Sequence, residues 1–237
     1  MRYRLILSIV LGFGLPLLPG CSAANDAKQD ALFKAIHARD TKQVQRILAE
    51  GNVVLDPPQQ PYQVNKPLAY AAAYGNLDIV KAILARGADI NGQVAYGDVP
   101  LIKAAEHGNR EIIKHLVEQG ADVNRPNAFG VSPFIGFCGG DDLELVKLAL
   151  QHGGKVNAAY VGRTSQNHGK KNYTALQAAV AYGNTDVVKL LLANGGDPSI
   201  QDQSGQTCLE LAQANNHTDI IGLLKAIPDK ADAGDGL

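Results

Sequence analysis

VPLIKAAEHGN, residues 99–109, and VVKLLLANGGD, residues 187–197, are the two runs that decide the fold of this chain. The first is a short segment of mostly small or apolar residues followed by a glycine, which suits a helix that ends in a tight turn. The second places apolar residues three and four positions apart, as on one face of a helix, and it also reaches a glycine. Together they predict a unit of two short helices joined by a turn.

The same unit recurs along the chain at a nearly constant period. Equivalent segments are headed by apolar residues at spacings of 36, 33, 33, 42 and 33, namely Leu32, Leu68, Leu101, Phe134, Leu176 and Leu209. The period is therefore 33 residues, with three extra residues after the first copy and nine after the fourth. One such unit cannot bury its own apolar face, so the six copies must stack side by side to form a core.

These runs resemble the ankyrin repeat, whose two helices carry the patterns T-P-L-H-x-A-A-x-x-G-H and I-V-x-L-L-L-x-x-G-A-D. The resemblance covers roughly residues 28–227 and implies an all-α ankyrin-repeat solenoid of about six helix–turn–helix repeats with β-turn or finger loops. It also implies a protein that binds another protein through its loop tips and the exposed side of its first helices. The first copy, with Arg39-Asp40 in place of Gly-Asn, and the last, with Asn216-His217, are interpreted as the end caps.

The first twenty residues are typical of a secretory signal. Arg2 and Arg4 precede an apolar run, residues 5–18, that is shorter than the roughly 20 residues needed to span a bilayer. The run ends in Leu18-Pro19-Gly20-Cys21, which resembles a bacterial lipobox. The resemblance implies cleavage before a lipid-modified Cys21 and, because Ser22 rather than Asp follows, a place in the outer membrane on its periplasmic face. Two alternatives remain for this segment. It is either an ordinary cleaved signal that yields a soluble product, or a buried helix of the mature fold.

The chain is accordingly divided into a lipoprotein signal peptide (1–20), a polar tether (21–29), a repeat domain (30–227) and a disordered tail (228–237).

Two places depart from the repeat pattern. In the fourth copy Gly136, Gly139 and Gly140 each cost about 1 kcal/mol relative to Ala in a helix, so the helix is distorted, a partner approaches its backbone, or the repeat is merely weak. The nine-residue insertion creates a locally basic loop, residues 160–173, which is either a binding element or a solvated loop.

Nothing in the composition or motifs indicates chemistry. The formal net charge of −1 gives no reason to expect nucleic acid as a partner, and the six histidines show no metal-ligand spacing. No catalytic or cofactor motif is present, so no catalytic, cofactor or metal site is predicted. Cys138 and Cys208 lie two repeats apart, too far for a disulfide, and are predicted to be unpaired, buried thiols. Asp141, Asp142 and Glu144 are interpreted as acids that favour the start of a second helix.

Projection of the repeat pattern onto the sequence gives the candidate partner-binding residues. The positions expected to be exposed on the first helices are Tyr70, Ala73, Tyr74, Lys103, Glu106, His107, Ala181 and Tyr182. The candidates on the loops are Tyr96, Phe129, Tyr160 and Arg163. Tyrosines gathered on one surface fit the preference of interfaces for amphipathic aromatic residues. The alternative is that Tyr74 and Tyr182 only shield Gly75 and Gly183.

The leading functional hypothesis is a monomeric, membrane-tethered periplasmic scaffold that captures one protein. In its specific form the chain is an immunity protein that neutralises a secreted antibacterial toxin, such as a type VI phospholipase effector. A second hypothesis, by family analogy alone, is an accessory factor for periplasmic oxidative-stress defence that supports a catalase. A third is a hydrolase that uses Asp141 or Asp142.

Overall fold

The computed structural model describes residues 23–56, 66–159, 173–202 and 204–227. In these residues the chain forms twelve α-helices and no strand. The helices are α1 (Ala23–His37), α2 (Thr41–Glu50), α3 (Pro67–Tyr74), α4 (Leu77–Leu84), α5 (Pro100–Glu106), α6 (Arg110–Glu118), α7 (Pro133–Gly139), α8 (Leu143–Gln151), α9 (Ala175–Tyr182), α10 (Thr185–Ala193), α11 (Cys208–Ala214) and α12 (Thr218–Lys225). The prediction of an all-α stack of six helix pairs is confirmed.

The helices form two layers. Each odd-numbered helix packs on the even-numbered helix that follows it and on the odd-numbered helices of the neighbouring repeats, and the even-numbered helices pack on one another in the same way. We call the odd-numbered helices the first helices and the even-numbered ones the second helices. The contacts of each repeat are thus almost entirely with its immediate neighbours, as in a solenoid.

Small residues bring the first helices close together. Ala71, Ala72, Ala104 and Ala179 are fully buried between neighbouring helices, where a larger side chain would hold the layers apart. Three of the first helices begin with proline in the first turn, where the missing N–H is not needed. The pattern of small residues and turn-forming residues therefore explains both the closeness and the shortness of these helices.

The second helices supply the larger apolar side chains of the core. Ile79, Val80 and Ile83 of α4 are fully buried, and the equivalent positions of α6 and α10 are buried as well. Burying one such side chain contributes about 1.5–3 kcal/mol. This is the inward face that the helical spacing of the sequence predicts.

A row of hydrogen bonds, which we call the finger-side row, joins the loops that follow successive second helices. Asn91 Oδ1 accepts from Asp122 N at 2.8 Å, and Asn124 Oδ1 accepts from Lys155 N at 2.8 Å. Asn157 Oδ1 accepts from Asp197 N at 2.9 Å in the same way. Each of these asparagines thus satisfies a backbone N–H of the next repeat and ties two loops together.

A second row, the turn-side row, joins the opposite ends of the repeats. The residue that precedes a second helix donates its side-chain N–H to the previous repeat, where the first helix ends. Asn109 Nδ2 donates to Ala72 O at 2.7 Å, and Asn76 Nδ2 donates to Arg39 O at 3.5 Å. Asn184 Nδ2 donates to Cys138 O at 3.3 Å, and His217 Nε2 lies 3.3 Å from Ala181 O.

The start of the described chain differs from the prediction of a polar tether, outside the folded domain, over residues 21–29. Helix α1 begins at Ala23, so the described part of that range is helical. Alanine is the best helix former, and residues 23, 24 and 27 are all alanine. The Gln29 side chain also accepts from Val54 N at 3.2 Å and donates to Val54 O at 3.1 Å. The folded domain therefore begins earlier than residue 30.

Helix α7 forms in spite of its glycines. Ser132 Oγ accepts from Ile135 N at 3.3 Å and caps the start of the helix. Phe134, Phe137 and Cys138 are buried and hold the helix against the core. Of the alternatives drawn from the sequence, a distorted helix is thus not what the structure shows, since α7 is continuous over Pro133–Gly139.

Several predictions lie outside the described residues. They concern the signal peptide (1–20), the lipidation of Cys21, the loop residues Tyr160 and Arg163, and the tail (228–237). Among the described helices, none combines the length and the hydropathy that crossing a bilayer requires.

Candidate protein-binding surface

Five aromatic rings form a continuous row across the first three repeats. The Tyr70 and Tyr74 rings lie one helical turn apart on α3, with centroids 4.8 Å from each other. On one side the Tyr70 ring meets Phe33 edge-on at 5.2 Å and the Tyr74 ring lies 5.8 Å from His37. On the other side the Tyr74 ring meets His107 at 4.8 Å, again edge to face. We call these five residues the aromatic row.

The aromatic row contains three predicted residues and two that the sequence analysis missed. Tyr70, Tyr74 and His107 were expected on the exposed side of the first helices, and the structure brings them together there. Phe33 and His37 belong to the first copy, which the sequence analysis treated as a cap. The repeat register does not find them, since Phe33 and His37 follow Leu32 by one and five residues and so stand at the positions of the buried Ala69 and Ala73 after Leu68.

Contacts inside the row hold its side chains in place. The Tyr70 hydroxyl lies 3.2 Å from His37 Nδ1, and Arg39 Nε donates to Tyr74 O at 3.0 Å. Burial, and then the neighbouring Tyr74, raise the pKa of the Tyr70 phenol above its ordinary value. The phenol therefore stays protonated at neutral pH and remains able to donate a hydrogen bond. Rings held in this way lose little side-chain entropy when a partner binds.

Ala73 does not belong to the exposed surface. The sequence analysis expected it to be exposed between Tyr70 and Tyr74, but it is 5% exposed. The side chain points towards the neighbouring helix, because α3 and α5 pack closely and Asn109 Nδ2 donates to Ala73 O at 2.9 Å. The prediction for this residue was wrong.

Lys103 and Glu106 continue the surface with paired charges. Lys103 Nζ lies 2.9 Å from Glu106 Oε2 and 2.6 Å from Asp98 Oδ2, and the Asp98 side chain is 7% exposed. Burial lowers the pKa of Lys103, but the hydrogen bonds and charges of Asp98 and Glu106 outweigh it and raise the pKa. The ammonium group is thus fixed beside the aromatic row and already neutralised. The Lys103 ammonium group can therefore donate hydrogen bonds to a partner but adds little net charge to the surface.

The fingertips carry an exposed aromatic pair. Tyr96 and Phe129 are 70% and 42% exposed, and their ring centroids are 5.6 Å apart. The two tips are joined because Ala128 N donates to Tyr96 O at 2.7 Å. At the base, Asn127 Nδ2 donates to Asp98 Oδ1 at 2.9 Å, so the pair is connected to Lys103 through one buried carboxylate. We call Tyr96 and Phe129 the fingertip pair.

Tyr96 has an unusual backbone conformation for its type, with φ 59° and ψ 15°. In two other fingers, Asn127 and Asp202 begin the turn and their Oδ1 atoms accept backbone N–H groups two and four residues later. Val94 stands at the equivalent place, and its side chain has no atom that can accept these N–H groups. In this turn Tyr96 takes the left-handed conformation. Strain of this kind clusters at functional sites, which marks the fingertip pair as a candidate binding element.

Tyr182 stands apart from the aromatic row. It is 73% exposed, and its ring lies over the fourth repeat, where a Cβ added to Gly139 would approach the ring at 3.1 Å. Gly183 is covered by a different side chain, since a Cβ there would be 2.8 Å from His217 Cε1. The glycine at position 139 thus has a packing reason, which is to admit the tyrosine of the next repeat.

No set of three His, Cys, Asp or Glu side chains in the described ranges is placed to hold a metal ion. Cys138 and Cys208 are free and buried, as predicted, and burial raises the pKa of both thiols, that of Cys208 to about 12. Asp142 Oδ1 accepts from Leu145 N at 3.2 Å and caps α8, which agrees with the structural interpretation of this acid.

Comparisons with known proteins agree with this architecture. The family of ankyrin repeats (3 copies) matches residues 101–202 and 142–233, and the family of ankyrin repeats (many copies) matches residues 68–117. The crystal structure of EF0377, an ankyrin repeat protein, aligns with a TM-score of 0.67 at 32% sequence identity, over 84% of this chain and 98% of that chain.

Two curated relatives match over short stretches. The ankyrin repeat-containing protein P1E11.10 of Schizosaccharomyces pombe is 48% identical over 46 residues, which is 19% of this chain and 22% of that protein. The ARF GTPase-activating protein Git of Drosophila melanogaster is 41% identical over 66 residues, 27% of this chain and 9% of that protein. The matches thus span less than a quarter of either relative. From the family matches, the aligned structure and the stacked helix pairs, we conclude that this chain belongs to the ankyrin-repeat family.

Proposed function

We propose that this chain is a scaffold that captures one protein partner with the aromatic row and the fingertip pair. The observation that carries the proposal is the aromatic row itself, in which five rings from three repeats contact one another on the exposed side of the first helices. Aromatic side chains dominate the binding energy of protein interfaces because they bury a large area at low entropic cost. The membership of a family of protein-binding scaffolds supports the same conclusion.

A variant set tests which surface binds. Tyr70→Ala with Tyr74→Ala removes the centre of the aromatic row, and Tyr96→Ala with Phe129→Ala removes the fingertip pair. We expect each pair to weaken binding of the captured partner at least 30-fold, since loss of a hot spot costs about 2 kcal/mol or more. Lys189→Ala on the opposite layer is the control and should bind normally. Equal affinity of the ring variants and Lys189→Ala, with unchanged circular dichroism, would exclude this surface.

We propose that the scaffold lies on the periplasmic face of the outer membrane, anchored through Cys21. The support for this placement is the lipobox-like run at residues 18–21, since two acyl signals already suffice for stable anchoring. Cys21→Ser should abolish labelling by radioactive palmitate and move the protein out of the membrane fraction. Cys208→Ser, at a buried thiol, should leave both unchanged. Palmitate labelling that persists in Cys21→Ser would disprove the anchor.

We propose further that the partner is a secreted antibacterial toxin and that the scaffold is an immunity protein. Support comes from the surface of contacting rings and from the lipobox-like run, which predicts a tether at a membrane that such a toxin must reach. A deletion strain should die when challenged by sister cells and should be rescued by the Lys189→Ala protein, but not by the aromatic-row variant. Normal survival of the deletion strain, with sensitivity to peroxide instead, would favour the oxidative-stress role.

A further inference from the structure

The turn-side row is interrupted at one place, between the third and the fourth repeats. Asp142 stands where four of the other second helices are preceded by Asn76, Asn109, Asn184 and His217. The remaining one, α2, is preceded by Asp40 but belongs to the first repeat and has no repeat before it to bond to. A carboxylate has no N–H to donate, so it cannot bond to the carbonyl groups at the end of α5. Asp142 instead accepts from Arg110, with 3.0 Å between Oδ2 and Nε and 3.1 Å between Oδ1 and Nη2.

The ion pair is a weak replacement for the missing bond. The side chains of Arg110 and Asp142 are 59% and 29% exposed, so water competes for both and salt screens their attraction. The bond it replaces, from an asparagine side chain to two backbone carbonyls, has no net charge to be screened. The third and fourth repeats are therefore joined on the turn side by the one contact in the row that depends on ionic strength.

The packing of the first helices against one another is also loosest at this junction. Helices α5 and α7 contact each other less than any other neighbouring pair of first helices in the described part of the chain. The pairs on either side, α3 with α5 and α7 with α9, are the most closely packed. The weak junction thus separates two tight ones.

On the second-helix side a cavity of about 340 Å³ opens between α6 and α8. Arg110, Lys114, Leu145 and Leu148 contribute to its lining. Helices α4 and α8 begin with Leu77 and Leu143, which pack against the core, whereas α6 begins with Arg110. Because the arginine extends to Asp142 instead of packing, the space between the helices is left open.

The finger side of the same junction is intact. Asn124 Nδ2 donates to Gly153 O and Asn124 Oδ1 accepts from Lys155 N, both at 2.8 Å. Phe134 N also donates to Val123 O at 2.8 Å. One edge of the junction is therefore tied and the other is loose, which is the arrangement of a hinge.

We propose that the solenoid bends between the third and fourth repeats, about the finger-side bonds of Asn124, as two rigid blocks of three repeats. The motion changes the separation between the aromatic row, on the first block, and Tyr182, on the second. The bending depends on the residues of the junction and needs no partner. The hinge can therefore be tested independently of the proposed function.

Distances between spin labels test the hinge directly. Labels attached through a ketone-bearing amino acid leave the cysteines of the full chain untouched. One pair, at positions 111 and 186, spans the junction, and the control pair, at positions 42 and 111, lies in the first block; all three positions are the second residue of a second helix. We expect the distance distribution of the first pair to be at least twice as wide and to widen further in 1 M salt.

Two substitutions change the hinge in opposite directions. Asp142→Asn with Arg110→Leu gives this junction the residues of the two junctions closed by Asn109 and Asn184, where the preceding second helix begins with Leu77 or Leu143. It should narrow the distribution of the 111–186 distance to that of the control pair. Asn109→Asp removes one of the intact hydrogen bonds of the turn-side row and should widen the distribution of the distance between positions 42 and 111. Equal widths for both pairs, or no narrowing in the doubly substituted chain, would overturn the hinge.

Discussion

Gly183 has two independent reasons to be glycine. Its φ of 78° lies in the left-handed region, and a Cβ there would be 2.8 Å from His217 Cε1. Gly108 occupies the equivalent turn two repeats earlier with a φ of 66°, and a Cβ there would have no neighbour within 4 Å. The two positions therefore separate the cost of backbone strain from the cost of a collision.

We expect Gly183→Ala to lower the free energy of unfolding by about 2–4 kcal/mol, and Gly108→Ala by about 1–2 kcal/mol. In both variants alanine is strained by the left-handed backbone, and in both it reduces the conformational entropy of the unfolded chain by the same amount. The difference between the two losses of unfolding free energy therefore measures the collision with His217. Urea unfolding of the two variants measures it. Equal losses would mean that the imidazole moves aside freely.

Helix α9 begins in a buried capping box. Thr174 Oγ1 accepts from Gln177 N at 3.2 Å, Gln177 Oε1 accepts from Thr174 N at 2.9 Å, and both side chains are fully buried. Helix α11 has the same device at its surface, with Thr207 and Glu210. The hydrogen bonds from the Thr207 backbone and hydroxyl hold the pKa of Glu210 below its ordinary value. The same capping-box motif is thus present once in the core and once at the surface.

We expect Thr174→Ala to destabilise the protein by about 2 kcal/mol, the upper end for a lost helix cap, because water cannot replace the hydroxyl at a buried N–H. Thr207→Ala should cost less, since its amide groups are open to solvent. Thr174→Ser keeps the oxygen and serves as the control. Thermal unfolding ranks the three variants, and an equal loss in Thr174→Ala and Thr207→Ala would contradict the importance of burial.

The helices were predictable from the sequence because each depends on a local pattern. Glycine turns and apolar positions three and four apart specify the pairs, and the repeat register places Tyr70, Tyr74 and His107 on one surface. What the sequence analysis missed depends on neighbours. The burial of Ala73 requires knowing how closely α5 approaches, and the left-handed conformation of Tyr96 is found in a turn where Val94 has no side-chain acceptor. The start of α1 inside the predicted tether depends on the hydrogen bonds between the Gln29 side chain and the Val54 backbone.

At the scale of the whole molecule the two layers have different surfaces. The first helices expose rings, whereas two of the second helices expose lysines paired with acids three residues earlier, Lys147 with Glu144 at 2.8 Å and Lys189 with Asp186 at 3.4 Å. Exposed pairs of this kind contribute little to stability but keep the surface hydrated. The layer with the aromatic row is therefore the one that gains most from being covered.

The last repeat covers the core of the fifth, because α11 packs on α9 and α12 packs on α10. A chain that ends at Asp202 lacks α11 and α12 and leaves buried residues such as Val188 and Leu191 partly uncovered. Losing several contributions of about 1.5–3 kcal/mol, at about 2–4 °C per kcal/mol, should lower the melting temperature by roughly 10 °C or more. A chain that ends at Ile227 keeps all twelve helices and should melt like the full chain. If both shortened chains melted alike, the stacking of repeats would not be the main source of stability.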